Sequence, residues 1–200
     1  MSLEALKRRY IDAIYETRAL MISETPLVLA SGGKSHLYLN HRNFLPHHRH
    51  LELIAQTYLK LIEPHVQVYK LGIVNSTMSP VLVGAMSALA QRDIVLVNIK
   101  KTEHGTKEET FGEIAGEVVL VDDMTSTGGT LLEAAPLLRN RGGHIRYAVV
   151  SACRDETAGK NLAAEGIHLL NIASFREIVM ALGQRLSERE KALVSLEFPD

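Results

Sequence analysis

Several broad classes are closed to this sequence by what it has little of. One cysteine in 200 residues, Cys153, excludes an intramolecular disulfide and any cysteine-cluster metal site. Cys153 closes the apolar run AVVSAC, the setting of a packed thiol rather than of a nucleophile. There is no excess of one charge. With 22 Lys and Arg against 23 Asp and Glu, no global field draws the chain to nucleic acid or to a membrane surface, so any anion site must be local. A DNA-binding regulator would need a basic face or an extra module, and neither is visible. No apolar run approaches the roughly 18 residues of a membrane span. The first residues, MSLEALKRRYIDAIYE, are amphipathic and carry acids, unlike a signal or transit peptide, so a cytoplasmic protein is expected. Without a secretory signal, the glycosylation sequon Asn75-Ser76-Thr77 is incidental. Repeats, low-complexity tracts and linkers are absent, and the length suits one domain with a full core.

What the chain does have is concentrated in Val118 to Thr130, VVLVDDMTSTGGT. Four apolar, mostly β-branched residues suit a strand buried on both faces, as in a parallel sheet, where ligands gather at the strands' carboxyl ends. Asp122 and Asp123 fall at that end. Thr125, Ser126, Thr127, Gly128, Gly129 and Thr130 follow, and a helix is expected from about Leu131. Hydroxyls and small residues there leave backbone N–H groups uncovered at a helix N-terminus, which favours a phosphate. Acids beside a phosphate cradle repel a bare phosphate, so their natural partners are ribose hydroxyls or a metal ion. A ribose 5-phosphate carried with a divalent cation satisfies all of these groups.

Along the chain, apolar spacing predicts one helix from Leu3 to Ile22, ending near Ser23. Short strands at 27–30 and 37–40 flank the turn Ser31 to Ser35 and suggest a hairpin. Phe44 to Ile62 reads as a connector and helix. His47, His48 and His50 cluster at its start, but neighbouring residues point to different faces of a helix, which disfavours a metal site. A strand at Val66 to Val74, a helix at Pro80 to Gln91 and a strand at Asp93 to Ile99 come next. The polar stretch Lys100 to Thr110 is expected as a mobile surface loop. After the central motif, Leu131 to Asn140 is helical, with Pro136 kinking it or confining its regular part, and Gly142-Gly143 ending it. His144 to Cys153 and Ile167 to Ile172 are strands. Ser174 with Glu177, and Ser187 with Glu190, are capping boxes that open two final helices. The alternation from Val66 to Phe175 predicts an α/β fold: a doubly wound, mostly parallel sheet behind an N-terminal helix and hairpin. The segments of this single domain (1–200) are 1–45, the core 64–175, and a helical 176–200.

The stretch VVLVDDMTSTGGT resembles the phosphoribosyl-diphosphate (PRPP) motif of type I phosphoribosyltransferases, and LVLASGGKSHLYLNHR resembles the hood of orotate phosphoribosyltransferases. Lys34, Tyr38, Asn40 and Arg42 stand at matching places in the hood. His104-Gly105, with Lys100 and Lys101 before it, fits the family's basic loop. Arg154, with an acid and a glycine after it, fits the family's arginine near the base, and its planar fork suits a carboxylate or uracil-type carbonyls. A salt bridge from Arg154 to Asp155 or Glu156 is the alternative.

The resemblance implies transfer of phosphoribosyl from PRPP to orotate, giving orotidine 5′-phosphate and diphosphate, with Mg²⁺, in pyrimidine biosynthesis. It implies that Asp122 and Asp123 hold the ribose and Thr125 to Thr130 the 5-phosphate. Lys100, Lys101 and His104 would assist the leaving diphosphate, Ser76 and Thr77 would donate to it, and Lys34, Tyr38 and Arg154 would hold orotate. No residue is assigned as a dedicated metal ligand. A homodimer is implied, with the 100–110 stretch reaching the neighbouring site. Two departures stand out. No glycine occurs in Asn75 to Ser79, where the family's diphosphate loop usually has one, and the basic loop is a residue short and lacks an arginine near Asn98 and Ile99. Transfer to another base, or a non-catalytic PRPP-binding regulator, are the competing readings.

Overall fold

The structure is a computed structural model that describes residues 1–29, 33–44, 46–102 and 105–198, and of residues 98–109 only backbone placement. Helix α1 (Leu3–Glu16) opens at Ser2, whose hydroxyl accepts from the Ala5 N–H. It stops well before Ile22. Arg18 takes a left-handed φ of 53°, the Ala19 N–H returns to the Ile14 carbonyl at 3.0 Å, and the Arg18 N–H to Tyr15 at 3.1 Å. That is a Schellman close built without the usual glycine, which is why helical apolar spacing ran on past it. Leu20 and Met21 instead begin strand β1 (Leu20–Val28), antiparallel to β2 (Lys34–Leu39). The hairpin is therefore longer than expected on its first side, with an irregularity between Ile22 and Leu27.

The core alternates strands and helices: α2 (His48–Ile62), β3 (Lys70–Ile73), α3 (Ser79–Ala90), β4 (Ile94–Thr102), β5 (Gly105–Phe111), β6 (Gly116–Val121), β7 (Met124–Thr125), α4 (Gly129–Arg139), β8 (Gly143–Cys153), α5 (Glu156–Ala164), β9 (His168–Ser174), α6 (Phe175–Leu182) and α7 (Glu188–Glu197). Neighbouring strands run β5-β4-β3-β6-β8, with the short β7 and β9 both paired to β8. All pair parallel except β5, which runs antiparallel to β4. The mostly parallel α/β architecture follows the sequence. The stretch expected as a loop at 100–110 does not: its described backbone belongs to a regular ribbon, with Lys100 opposite Lys107 and Thr102 opposite Gly105. Beyond Leu96, β4 pairs with β5 alone, and a two-stranded ribbon needs no apolar periodicity to pair. Helix α4 also runs through Pro136, which breaks neither side of it.

The sheet separates two cores, and β6 serves both. Val119 and Val121 pack with α1, α2, α3 and α6, while Val118 and Leu120 pack with α4 and α5. That double burial is the reason for the unbroken apolar run. Gly72 of β3 lies beside it, and a Cβ there would come within 3.0 Å of both Leu120 and Val118. From β3 the chain moves one way to β4, then crosses back to β6 on the other side. This switch point opens a crevice between the loops that follow β3 and β6. Both C-terminal capping boxes form, Ser174 with Glu177 and Ser187 with Glu190.

Candidate active site

The acidic pair sits at the carboxyl end of β6, and its two members face different ways. Asp122 is buried: its carboxylate accepts from the Ser76 hydroxyl at 2.6 Å and from the Asp123 N–H at 2.9 Å, and its carbonyl accepts from the Tyr58 hydroxyl at 2.8 Å. Burial, with Asp123 alongside, pushes the Asp122 carboxyl up to about 7. The Asp123 carboxylate is one-quarter exposed and lies 3.4 Å from Nδ1 of His41. Burial acts upward on Asp123 too, but the proximity and charge of His41 outweigh it and hold this carboxyl below its ordinary value. Of the two, Asp123 is the ionised acid that a ligand meets.

The loop after β6 turns tightly into a helix. Gly128 has φ +85°, and a Cβ on it would come within 3.2 Å of Leu162, so both conformation and space require glycine. The Thr125 hydroxyl accepts from the Gly128 N–H at 3.0 Å, and Asn161 donates to the Thr127 carbonyl at 3.0 Å. These bonds brace the turn. The next N–H groups, at Gly129 and Thr130, begin α4 and have no intrahelical acceptor. Ser126 is half-buried and Thr127 exposed.

The loop after β3 is built differently. The Ser79 hydroxyl donates to the Val121 carbonyl at 2.6 Å and accepts from the Val74 N–H at 3.0 Å. The Ser76 hydroxyl, besides donating to Asp122, accepts from the Ser79 N–H at 3.1 Å. Ser76 therefore spends its proton on Asp122 rather than offering it to a diphosphate. Thr77 is exposed and borders the crevice.

A cleft of about 270 Å³ brings together Tyr38, Asn40, Arg42, Ser76, Thr77 and Asp123. The expected base-binding residues are not all there. Lys34 is exposed at the start of β2, away from this lining. Arg154 makes neither of the salt bridges weighed for it. Its guanidinium donates to the Ser35 hydroxyl and the Leu37 carbonyl and lies 4.8 Å over the Phe175 ring. It clamps the hood to the core and lines a second cleft of about 610 Å³ with Ser174, Arg176 and Phe198. His104 lies outside the described residues, as do the side chains of Lys100 and Lys101. The His47 to His50 cluster is split by burial: His50 packs on Phe44, while His48 is exposed.

A family model described as the phosphoribosyl transferase domain matches residues 80–166. The orotate phosphoribosyltransferase of Methanopyrus kandleri is 32% identical over 170 residues, which cover 83% of this chain and 88% of that one. The chain belongs to the orotate phosphoribosyltransferase family. The orotate phosphoribosyltransferase of Thermococcus kodakarensis is similar at 32% identity over 167 residues, 80% of this chain and 86% of its own. The crystal structure of orotate phosphoribosyltransferase from Aeropyrum pernix shares the fold, with a TM-score of 0.78 at 24% identity, over 87% of this chain and 98% of that one.

For an orotate phosphoribosyltransferase chain, the group that sequence reading missed lies behind Asp123. Nε2 of buried His41 lies 2.6 Å from the Ser151 hydroxyl and 3.1 Å from the Tyr10 hydroxyl. Ser151 in turn donates to the Asp123 carbonyl at 2.6 Å. Signals existed for each: Leu37, Leu39 and His41 continue one inward face, and Ser151 interrupts an apolar strand. A polar residue on a buried face is the informative observation.

Proposed function

We propose that this chain transfers the phosphoribosyl group of PRPP to orotate, releasing diphosphate and forming orotidine 5′-phosphate. The observation that carries this reading is the ionised Asp123 at the cleft, followed directly by the glycine-opened N-terminus of α4, in a chain of this family. Asp123 accepts from the ribose hydroxyls. Asp122, bonded to Ser76, holds the two loops of the crevice together and stands behind the ribose. The N–H groups and hydroxyls of Thr125 to Thr130 take the 5-phosphate. Tyr38 of the hood covers the base. Lys34 and Arg154 reach orotate only after a movement of the hood, since Arg154 now holds its strand.

In the reaction, the bond from the anomeric carbon to diphosphate breaks, the ribose passes through an oxocarbenium-like state, and a ring nitrogen of orotate bonds to that carbon, its proton passing to the released diphosphate or water. The chain's task is electrostatic. Lys100, Lys101 and His104 stabilise the charge gathering on the leaving diphosphate, with Thr77 as a neutral donor. The donor chemistry fits Mg²⁺ brought in on PRPP. Among the described residues no group of three acids, His or Cys could hold a metal, and this ion keeps several waters and substrate oxygens as ligands. When bound, Mg²⁺ neutralises diphosphate charge.

A homodimer belongs to the same proposal. Helix α3 turns Val81 and Leu89 to solvent, 40% and 47% exposed, near-continuous with exposed Pro80 and Gly84, an apolar outer face that a second subunit would cover. The ribbon of β4 and β5 then serves the neighbouring site. A cytoplasmic setting keeps the lone buried thiol reduced. Among the described residues no helix is long and apolar enough to cross a membrane.

The test is orotate absorbance with purified protein. Loss of the orotate band only when PRPP and Mg²⁺ are both present is expected. No loss at high enzyme concentration contradicts catalysis. A second reading, a PRPP-binding regulator without turnover, draws on the self-bonded loop after β3. PRPP binding by calorimetry in an inactive sample would favour it.

A further inference from the structure

His41 stands where no role has been assigned, fully inside the protein and yet against the one acid that faces the cleft. Its surroundings have the connectivity of a nucleophilic triad, serine to imidazole to carboxylate. The burial excludes that use. Ser151 is 0% exposed, and its hydroxyl proton is directed to the Asp123 carbonyl, so no substrate carbon can reach its oxygen.

What remains is a brace. The Tyr10 hydroxyl, on α1, donates to Ser151 at 3.1 Å, and both oxygens lie within hydrogen-bond distance of Nε2. Phe44 packs edge-on at 6.3 Å between ring centroids and limits rotation of the imidazole. On the other side of the ring, Nδ1 meets Oδ2 of Asp123 at 3.4 Å, within ion-pair distance but without an aligned hydrogen bond.

We propose that His41 is a positioning residue for Asp123: its ring, fixed from behind by Tyr10 and Ser151, holds one carboxylate oxygen and leaves the other aimed at the ribose of PRPP. This inference rests on the PRPP reading above. It also gives the N-terminal segment a part in the ribose site. The hood's last turn, at His41–Asn43, and α1 reach the acid through one imidazole.

Two substitutions separate positioning from mere packing, because each keeps one nitrogen of the ring. An Asn amide can stand near the place of Nδ1 and a Gln amide near that of Nε2. PRPP and orotate dissociation constants are measured by calorimetry for the wild type, His41→Asn, His41→Gln and His41→Leu, each with its melting curve. The expected result is that His41→Asn binds PRPP within about threefold of the wild type, while His41→Gln and His41→Leu lose roughly tenfold or more, the scale of a displaced ligand-facing group. Orotate affinity stays within about twofold throughout. PRPP affinity equal in all four proteins overturns the inference and leaves the PRPP reading standing. Losses that follow the drop in melting temperature, with Gln better than Asn, overturn it too. A wild type that binds no PRPP overturns the reading of the site itself.

Discussion

The loops after β3 and after β6 flank the same crevice, follow adjacent parallel strands and open helices of similar length, yet they make opposite use of their polar groups. After β6, a left-handed glycine and one threonine hydroxyl brace the turn, and the first N–H groups of α4 have no intrahelical acceptor. After β3, with no glycine, the serine hydroxyls turn inward. Ser79 spans Val74 and Val121, and Ser76 spans Ser79 and Asp122. Hydroxyls satisfied by the protein cost energy to redirect, so the same residue types that advertise an anion site in one loop act as mortar in the other. Composition alone does not distinguish the two. The backbone φ that glycine permits does.

Substitutions can break this contrast from either side. The largest effect is expected from Asp123→Asn, which removes the charge facing the ribose and should lower kcat/KM for PRPP by roughly a hundredfold, about 2.7 kcal/mol. Steady-state kinetics with PRPP varied would check it, and a change under threefold would mean that Asp123 is not the ribose acid. Ser79→Ala strands a buried carbonyl and a buried N–H, and should cost about 1–3 kcal/mol in denaturant unfolding with PRPP affinity nearly kept. A loss of affinity without loss of stability would show that the loop after β3 is a ligand loop after all. Gly128→Ala forces a side chain into the left-handed region against Leu162 and should cost about 1–2 kcal/mol along with weaker PRPP binding.

A pH-dependent effect should come from Asp122. Its folded value is raised from 3.8 to about 7, so its favourable, protonated contribution is complete below about pH 4 and is lost as pH rises through 7. Asp122→Asn keeps the acceptor that Ser76 and the Asp123 N–H use. The ligand-free variant should therefore melt higher than the wild type at pH 8 and equal to it near pH 4. A gain of the same size at both pH values would remove burial of charge as the cause.

The β6 motif was legible because every property it needs is local: an apolar run, two acids, and a glycine whose φ is fixed by the next turn. The parallel sheet followed from alternation. The end of α1 was not legible, because its Schellman close uses Arg18 where glycine would have announced it. The 100–110 stretch looked like a loop because a two-stranded ribbon pairs through its backbone and needs no apolar periodicity. The inward turn of Asp122 and the His41 brace were hidden for another reason. Their partners come from distant positions, Ser76 standing 46 residues from Asp122 and Ser151 110 residues from His41, and only the folded chain joins them. The partners of Arg154, Ser35 and Leu37, belong to a hairpin whose docking the sequence does not state.

The most direct measurement is a crystal structure with PRPP and Mg²⁺ bound. The 5-phosphate should rest on the N–H groups and hydroxyls of residues 126–130, with a ribose hydroxyl on the Asp123 oxygen that His41 leaves open. A 5-phosphate seated on residues 75–79 instead, or a ribose out of reach of Asp123, would contradict the account.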